Sequence, residues 1–366
     1  MTVDNQERWN RRPRIAVIPG DGIGVETVNA ALVVLGAVES RWGPRLELET
    51  FPWGCDFYKS TGAMMPPEAL ERLSTFDAIF FGAVGDPSVP DDIAVWDLVL
   101  AIRRRFGQNI NVRPVRRFDG VPSPLRDDLT HGMDFVVVRE NGEGEYSRVG
   151  GIISPESDAE TALQVSTFSR HGVERVARYA FEIASRRRRS VISATKSNAL
   201  AFSMPFWDRV VADVGASFPE VALVSMHADA LAARLVLSPG DLDVVVASNL
   251  FGDILSDLGA ALMGSIGMGA SANLDPSGRS PSMFEPIHGS APDIAGQGVA
   301  NPVGQIWSLS MMLDHLGYPK PAAAIVRSIE RVLVEGDTLT PDLGGGATCV
   351  AVAEAIASRV CELGAG

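Results

Sequence analysis

Two aspartates stand one helical turn apart, Asp253 and Asp257, in the segment Asp243-Val-Val-Val-Ala-Ser-Asn-Leu-Phe-Gly-Asp-Ile-Leu-Ser-Asp257. The apolar run over 244–247 reads as a strand buried on both faces. From Leu250 the spacing turns helical, with Leu250, Ile254, Leu255 and Leu258 on one side. Residues four apart on a helix hold their Cβ atoms about 5–6 Å from one another, so both carboxylates point the same way. Their mutual repulsion favours a cation between them, and all-oxygen ligation suits Mg²⁺ or Mn²⁺. A solvated acidic face is the competing explanation of an isolated D-x-x-x-D. Position weighs against it, because α/β proteins build their sites just beyond strand ends.

Other charged residues fall at similar places. Lys196 follows Val-Ile-Ser-Ala-Thr at a strand end, and Asp229 opens a helix after Met226-His-Ala. With Asp253 and Asp257 they make a candidate cluster of three carboxylates and one lysine. A lysine buried beside a metal ion has its charged form disfavoured, so its pKa falls from about 10.4 and it can serve as a general base. Arg103, Arg113 and Arg139 lie on a helix, just beyond it and at a strand end. Guanidinium forks bind carboxylates through two hydrogen bonds at once. Tyr146, in a glycine-containing acidic loop, is a candidate proton donor, although an exposed loop tyrosine is the ordinary case. A third group is the loop Glu285-Pro-Ile-His288-Gly-Ser-Ala-Pro-Asp293, which runs on to Asn301. Gly289, Ser290 and Ala291 would let a ligand approach the backbone closely, and Asp293 would accept from a ribose. A tight loop with a helix cap explains the same residues nearly as well.

These groups need a frame of alternating strands and helices, the pattern of an α/β protein. Strands are expected over 14–18, 78–81, 135–139, 190–193, 222–226 and 244–247. Helices are expected over 25–38, 92–106, 173–185, 204–214 and 229–237, and near 302–316, 322–335 and 349–363. The small-residue stretch 260–272 reads as loop. Gly20-Asp-Gly22-Ile-Gly24 reads as a tight strand-to-helix turn. Its third glycine comes one residue too early for a dinucleotide fingerprint, and no acidic residue closes a second strand about 20 residues on.

At 366 residues the chain is long enough for two lobes. It shows no repeat and no low-complexity linker, so a two-lobe division requires the chain to cross between lobes twice. A net charge of −13 argues against nucleic acid or an anionic membrane as the main partner. Arginines nevertheless cluster locally, and the run 186–189 reads as a solvated helix end. Cys55, Cys349 and Cys361 are odd in number and match no metal or redox spacing, which fits a reducing cytoplasm. Residues 1–13 are polar and lack the apolar core of a signal peptide. No uninterrupted apolar run reaches about 18 residues, so no membrane span is expected.

Ile15-Ala-Val-Ile-Pro-Gly-Asp-Gly-Ile-Gly24, Ser248-Asn-Leu-Phe-Gly-Asp-Ile-Leu-Ser-Asp257, Glu285-Pro-Ile-His-Gly-Ser-Ala-Pro-Asp293 and Pro341-Asp-Leu-Gly-Gly-Gly346 occur in that order. Together they resemble the decarboxylating β-hydroxyacid dehydrogenases: isocitrate, isopropylmalate, and tartrate or D-malate dehydrogenases. The resemblance implies a two-lobe α/β/α fold, not of the Rossmann type, with an active cleft between lobes. Residues 1–110 plus 265–366 would form the large cofactor-binding domain, and 111–264 a smaller one carrying metal ligands and dimer contacts. It implies a homodimer in which each site takes the partner subunit's Lys196 and the partner subunit's Asp229. Asp253 and Asp257 would join that Asp229 around Mg²⁺ or Mn²⁺, and Arg103, Arg113 and Arg139 would hold substrate carboxylates. Lys196 would remove the hydroxyl proton, and Tyr146 would reprotonate the enol after CO₂ leaves. Glu285, His288, Gly289, Ser290, Ala291, Asp293 and Asn301 would line the cofactor, with Asp293 at the position associated with NAD.

Oxidising a 2-hydroxy acid yields a keto acid whose next carbon bears a carboxylate. Such a compound loses CO₂ readily once the developing enolate is stabilised. Trp96, Val99, Leu100 and Arg103, at i, i+3, i+4 and i+7, would share one helix face, either as a core stripe ending in a charge or as the face that touches what the substrate carries beyond its carboxylates. Segments 93–106 and 140–147 look most like the tartrate/D-malate branch, although Gly142 departs from the threonine usual there. A bulky indole would shrink the pocket to a C4 diacid. The next alternative is 3-isopropylmalate oxidation. A non-catalytic regulatory subunit of the same fold would be expected to lack the base, the tyrosine or a carboxylate, and this chain has them all.

Overall fold

The computed structural model describes residues 12–43 and 45–363; segment 1–11, most of the stretch read above as lacking a leader, lies outside them. In chain order the strands are β1 (Arg14–Gly20), β2 (Glu47–Thr50), β3 (Ala78–Ala83), β4 (Ile110–Arg116), β5 (Asp134–Glu140) and β6 (Gly150–Ile153). They continue as β7 (Thr161–Gln164), β8 (Ser190–Thr195), β9 (Ala222–His227), β10 (Val244–Ala247), β11 (Ala270–Leu274) and β12 (Ser282–Pro286). The chain folds into two compact units. One takes in the described residues up to Gln108, then Arg117–Pro124 and those from Ala260 onward; the other takes in Asn109–Arg116 and Leu125–Gly259.

In the first unit the strands run β2-β1-β3-β12-β11. All these pairs are parallel except β11 with β12. Every residue of β3 is buried, which is why its sequence Ala-Ile-Phe-Phe-Gly-Ala is continuously apolar or small rather than alternating. The helix Ile23–Trp42 follows β1 and buries Val28, Ala31, Val34, Leu35 and Val38. By length and composition alone this helix would suffice to cross a membrane, since its many aliphatic residues outweigh Glu26, Glu39 and Arg41. Its buried face packs against β1, β3 and the helix Cys349–Glu362, as in a core helix.

The second unit orders its strands β4-β5-β10-β8-β9. Only β4 with β5 is antiparallel. Val136, Val137 and Val138 lie beside Val244, Val245 and Val246, the β-branched packing that two-sided burial selects. Trp207 is fully buried and donates from Nε1 to Ser193 Oγ at 2.9 Å. The arginine run is more than a solvated helix end: Arg187 donates to Asp243 and Asp134, both at 2.9 Å. β6 and β7 form a separate antiparallel ribbon, exposed at all eight positions.

Two expectations need correcting. The stretch 260–272 is not loop: the helix Asn249–Leu262 extends into it, and β11 begins at Ala270. Its small residues answer to packing, since Ala260, Ala270 and Ala272 are buried. The helix expected over 92–106 is broken by a π-helical turn, Val95–Val99.

The β1 turn is held by backbone contact. Gly20 has φ +71°, and a Cβ there would lie 2.0 Å from the Ala83 carbonyl oxygen. Gly20→Ala is therefore expected to cost at least about 3 kcal/mol, read as a lowered urea midpoint. An unchanged midpoint would mean the turn has room that this packing denies.

Candidate active site

β5 and β10 are parallel neighbours with Arg139 beside Ala247, so both deliver their following residues to the same end of the sheet. There the helix Asn249–Leu262 begins, and Arg139 reaches it. Arg139 is 2% exposed. Its Nε and Nη2 donate to Asn249 Oδ1 at 3.1 and 2.7 Å, and its Nη1 to Asp253 Oδ1 at 2.5 Å. Arg113, from β4, donates through Nη1 to Ser256 Oγ at 2.7 Å and lies 3.1 Å from Asp253 Oδ1 and 3.0 Å from Asp257 Oδ1. Glycine permits this closeness. A Cβ at residue 252 would fall 2.6 Å from the Arg139 stem, and one at residue 259 would fall 2.7 Å from Val115.

Tyr146 completes the cluster by donating its phenol hydrogen to Asp253 Oδ2 at 2.6 Å. Burial, then the Asp253 carboxylate, pushes that phenol up to about 12. Burial also raises Asp257, against the pull of Arg113. Ile254, expected to share one side of this helix with Leu250, Leu255 and Leu258, is 57% exposed. The face against the sheet instead carries Gly252, Leu255, Ser256 and Gly259.

Lys196 and Asp229 meet because β8 and β9 pair in parallel with Thr195 beside His227. Lys196 Nζ donates to Asp229 Oδ1 at 2.7 Å and holds that carboxyl below its ordinary range. The lysine is not the buried one the sequence suggests: its side chain is 30% exposed, since β9 is an edge strand and leaves it uncovered. Among the described residues no three acidic, imidazole or thiol groups gather as a metal site, so Asp229 does not join Asp253 and Asp257 within one chain.

In the first unit Arg103 forms an ion pair with Glu285, both nearly buried, and Glu285 also accepts from Asn273 Nδ2 at 2.7 Å. Trp96, Val99, Leu100 and Arg103 do not form the single stripe expected of them, because the π turn's i→i+5 bonding breaks the 3.6-residue phase. Val99 packs in the core with Leu98 and Ile102, Leu100 is buried, and Trp96 lies under the Arg104 guanidinium at 4.3 Å.

The loop after β12 is tied to the β1 turn. Ile23 N–H donates to the Ser290 carbonyl at 2.8 Å, and a Cβ on Gly22 would sit 2.0 Å from that oxygen. Ala291 follows at φ +40°, a conformation rare outside glycine. His288 is buried, with Nδ1 2.9 Å from the Gly289 carbonyl and Nε2 left without a hydrogen-bond partner. A Cβ at Gly289 would meet nothing within 4 Å. An orphaned buried nitrogen beside open backbone is what a loop built for a ligand offers. Asn301 donates to Asp342 Oδ2 at 2.9 Å and accepts from Val303 N–H, while Asp293 is exposed.

Sequence reasoning passed over Asn249, Ser256 and the glutamates of segment 140–146. Asn249 had a signal, a polar residue between a buried strand and an apolar helix face. The glutamates read only as loop acidity. Glu140 accepts from the N–H groups of Gly142 at 2.9 Å and Glu143 at 2.8 Å. Gly142 is close-set too, since a Cβ there would lie 2.4 Å from Asn109 Oδ1.

A model of the family described as isocitrate/isopropylmalate dehydrogenase matches residues 14–357. The chain is 51% identical to a probable tartrate dehydrogenase/decarboxylase of Bacillus subtilis (strain 168), over 95% of this chain and 98% of that protein. It is also 51% identical to the decarboxylating D-malate dehydrogenase of Escherichia coli (strain K12), over 94% and 97%. The crystal structure of isocitrate dehydrogenase from Methylococcus capsulatus superposes with a TM-score of 0.87 at 33% identity, covering 95% of this chain and 99% of that one.

Burial pushes the Glu140 carboxyl up to about 7. Between its ordinary value and about 7 the folded protein keeps a proton that the unfolded chain has lost. Stability from this group is therefore full at acid pH and falls as pH rises through about 7, by up to about 3 kcal/mol. Glu140→Gln removes that slope, so its Tm relative to the parent should improve between about pH 5 and about pH 8. A Tm difference independent of pH counts against a buried, protonated Glu140.

Proposed function

The chain belongs to the isocitrate/isopropylmalate dehydrogenase family, and from that membership we propose that it oxidises and decarboxylates D-malate or tartrate with NAD and Mg²⁺ or Mn²⁺. The observation that carries this reading is the charge balance of one cluster. Arg113 and Arg139 stand against Asp253 and Asp257, two positive and two negative charges. A divalent cation on the aspartates and a dianionic substrate on the arginines would arrive together and leave that balance intact. The relatives' names, tartrate and D-malate, narrow the dianion to a C4 hydroxy diacid.

The donor set fits such an ion. Asp253, Asp257 and the partner subunit's Asp229 supply only hard oxygens. Bound there, the cation would supply Lewis-acid stabilisation of developing negative charge. Arg113 and Arg139 orient the substrate carboxylates. The partner subunit's Lys196 accepts the hydroxyl proton as hydride leaves, and Tyr146 returns a proton to the enol carbon after CO₂ departs. Glu285, His288, Gly289, Ser290, Ala291 and Asn301 hold the dinucleotide. The exposed Asp293 carboxylate accepts from free ribose hydroxyls and repels a 2′-phosphate, which favours NAD over NADP.

The second unit supplies the argument for a homodimer. Phe202 is 91% exposed, and Ile152 and Ile153 are 55% and 51% exposed. Adjacent strand residues face opposite ways, so the β6–β7 ribbon is apolar on both sides, and a lone two-stranded ribbon is marginal in water. A second copy of the chain would cover it.

With NAD and Mn²⁺, D-malate and the tartrates should outpace 3-isopropylmalate and isocitrate in kcat/KM, and EDTA should abolish turnover until Mn²⁺ is restored. Dominance of 3-isopropylmalate, or a preference for NADP of about tenfold, overturns the substrate or cofactor assignment. Ile152→Asp should shift the protein from dimer to monomer in sedimentation and abolish turnover with it. A monomeric parent, or an active monomeric variant, would remove the shared site.

A further inference from the structure

β5 ends in Glu140 and the loop that follows it carries Glu143 and Glu145, and each of these side chains is bonded to backbone or hydroxyl hydrogens. Glu140 folds back on the loop's own N–H groups. Glu143 accepts from Ser169 N–H and Ser169 Oγ, both at 2.6 Å, where the helix Arg170–Ser185 begins. Glu145 accepts from Ser248 Oγ at 2.8 Å and from the Leu250 N–H at 3.1 Å, where the helix Asn249–Leu262 begins.

The last pair is unusual in its source. Ser248 and Asn249 are the residue types that ordinarily cap a helix with their own side chains. Here both are otherwise engaged. Asn249 Oδ1 accepts from Arg139, its Nδ2 donates to the Glu143 carbonyl at 3.0 Å, and Ser248 Oγ donates to Glu145. The carboxylate on the Leu250 N–H is supplied from about a hundred residues away, and the helix terminus favours its charge.

The next residue in the loop is Tyr146, bonded to Asp253 on the same helix. Two consecutive loop residues thus grip one helix at Leu250 and Asp253, just under one turn apart, about 4.5 Å along its axis. The loop cannot slide or roll over the helix without breaking one grip. We propose that Glu145 is a positioning residue, whose bonds to Ser248 and Leu250 fix the Tyr146 phenol against Asp253. The inference rests on Tyr146 as the proton donor of the proposed reaction, and it gives the donor's aim a definite source.

Glu145→Gln keeps the shape but leaves one of the two donors without an acceptor. Ser248→Ala removes one bond and is the milder variant if the first fails to fold. The chain has four tyrosines, so protein labelled with 3-fluorotyrosine gives a ¹⁹F signal for Tyr146 assignable by its loss in Tyr146→Phe. Both variants should move that signal and leave the other three in place. With D-malate, NAD and Mn²⁺, Glu145→Gln should lower kcat by about 10²-fold, the scale of a small misplacement of a reacting group, with substrate KM nearly constant. The double variant should be no slower than Glu145→Gln alone. A Tyr146 signal unmoved in both variants, or KM rising while kcat holds, overturns the proposal. A parent enzyme that turns over none of the diacids would overturn the functional reading alone, and the fluorine signal would still decide whether Glu145 aims the phenol.

Discussion

Burial of the Arg139 and Arg113 guanidiniums is the constraint that organises the second unit. A guanidinium removed from water without a partner costs several kcal/mol, and only well-placed oxygens offset that. Arg139 projects from the end of β5, so the helix after β10 has to lie where Asn249 and Asp253 can receive it. That requirement fixes the rest. Residues 252 and 259 have no room for a Cβ, since the helix rests on the Arg139 stem and on Val115. Ser256 faces inward to take Arg113. Asp253 meets arginine with one oxygen and Tyr146 with the other.

Charged residues at strand ends were legible in the sequence because an apolar run announces a buried strand and leaves the next residues at the sheet's rim. Arg139 and Lys196 follow that rule, whereas Asp229 follows the largely exposed edge strand β9 and the Asp253–Asp257 pair lies inside the helix after β10. Their pairing was not legible in the same way. Lys196 meets Asp229 only because β8 and β9 are neighbours, and strand order has no local signature. The π turn at Val95–Val99 is likewise silent, since no glycine or proline marks it, and periodicity carried through it misassigns Val99. The stretch 260–272 misled for another reason. Small residues signal loops on average, yet Ala270 and Ala272 are small because β11 is packed on both faces.

The first unit shows glycines that look like a phosphate loop and work otherwise. Gly20 and Gly22 adopt positive φ so that the backbone can pass Ala83 and Ser290 at contact distance. Asp21 between them accepts from Cys55 N–H at 2.8 Å and Gly85 N–H at 3.0 Å. The turn thereby braces the loop that bears His288 and Asp293 and leaves no cradle of free N–H groups of its own. The failure of the G-x-G-x-x-G spacing and the presence of a separate ligand-shaped loop are two sides of one arrangement.

A chain with a net charge of −13 is a poor long-range attractor of dianions. Charges on the rest of the surface are screened beyond about 8 Å at physiological ionic strength, whereas buried pairs are screened much less. What a dianion meets inside is therefore set by Arg113 and Arg139 and the groups they touch. In the structure those guanidiniums are occupied by Asp253 and Asp257, which would repel an anion if nothing else arrived. Anion affinity in this cluster must then be conditional on a cation that draws the aspartates' charge. On the proposed function, cation and dianion would bind as a pair, each removing the unfavourable charge that the other alone would create, and that coupling would follow from four side chains.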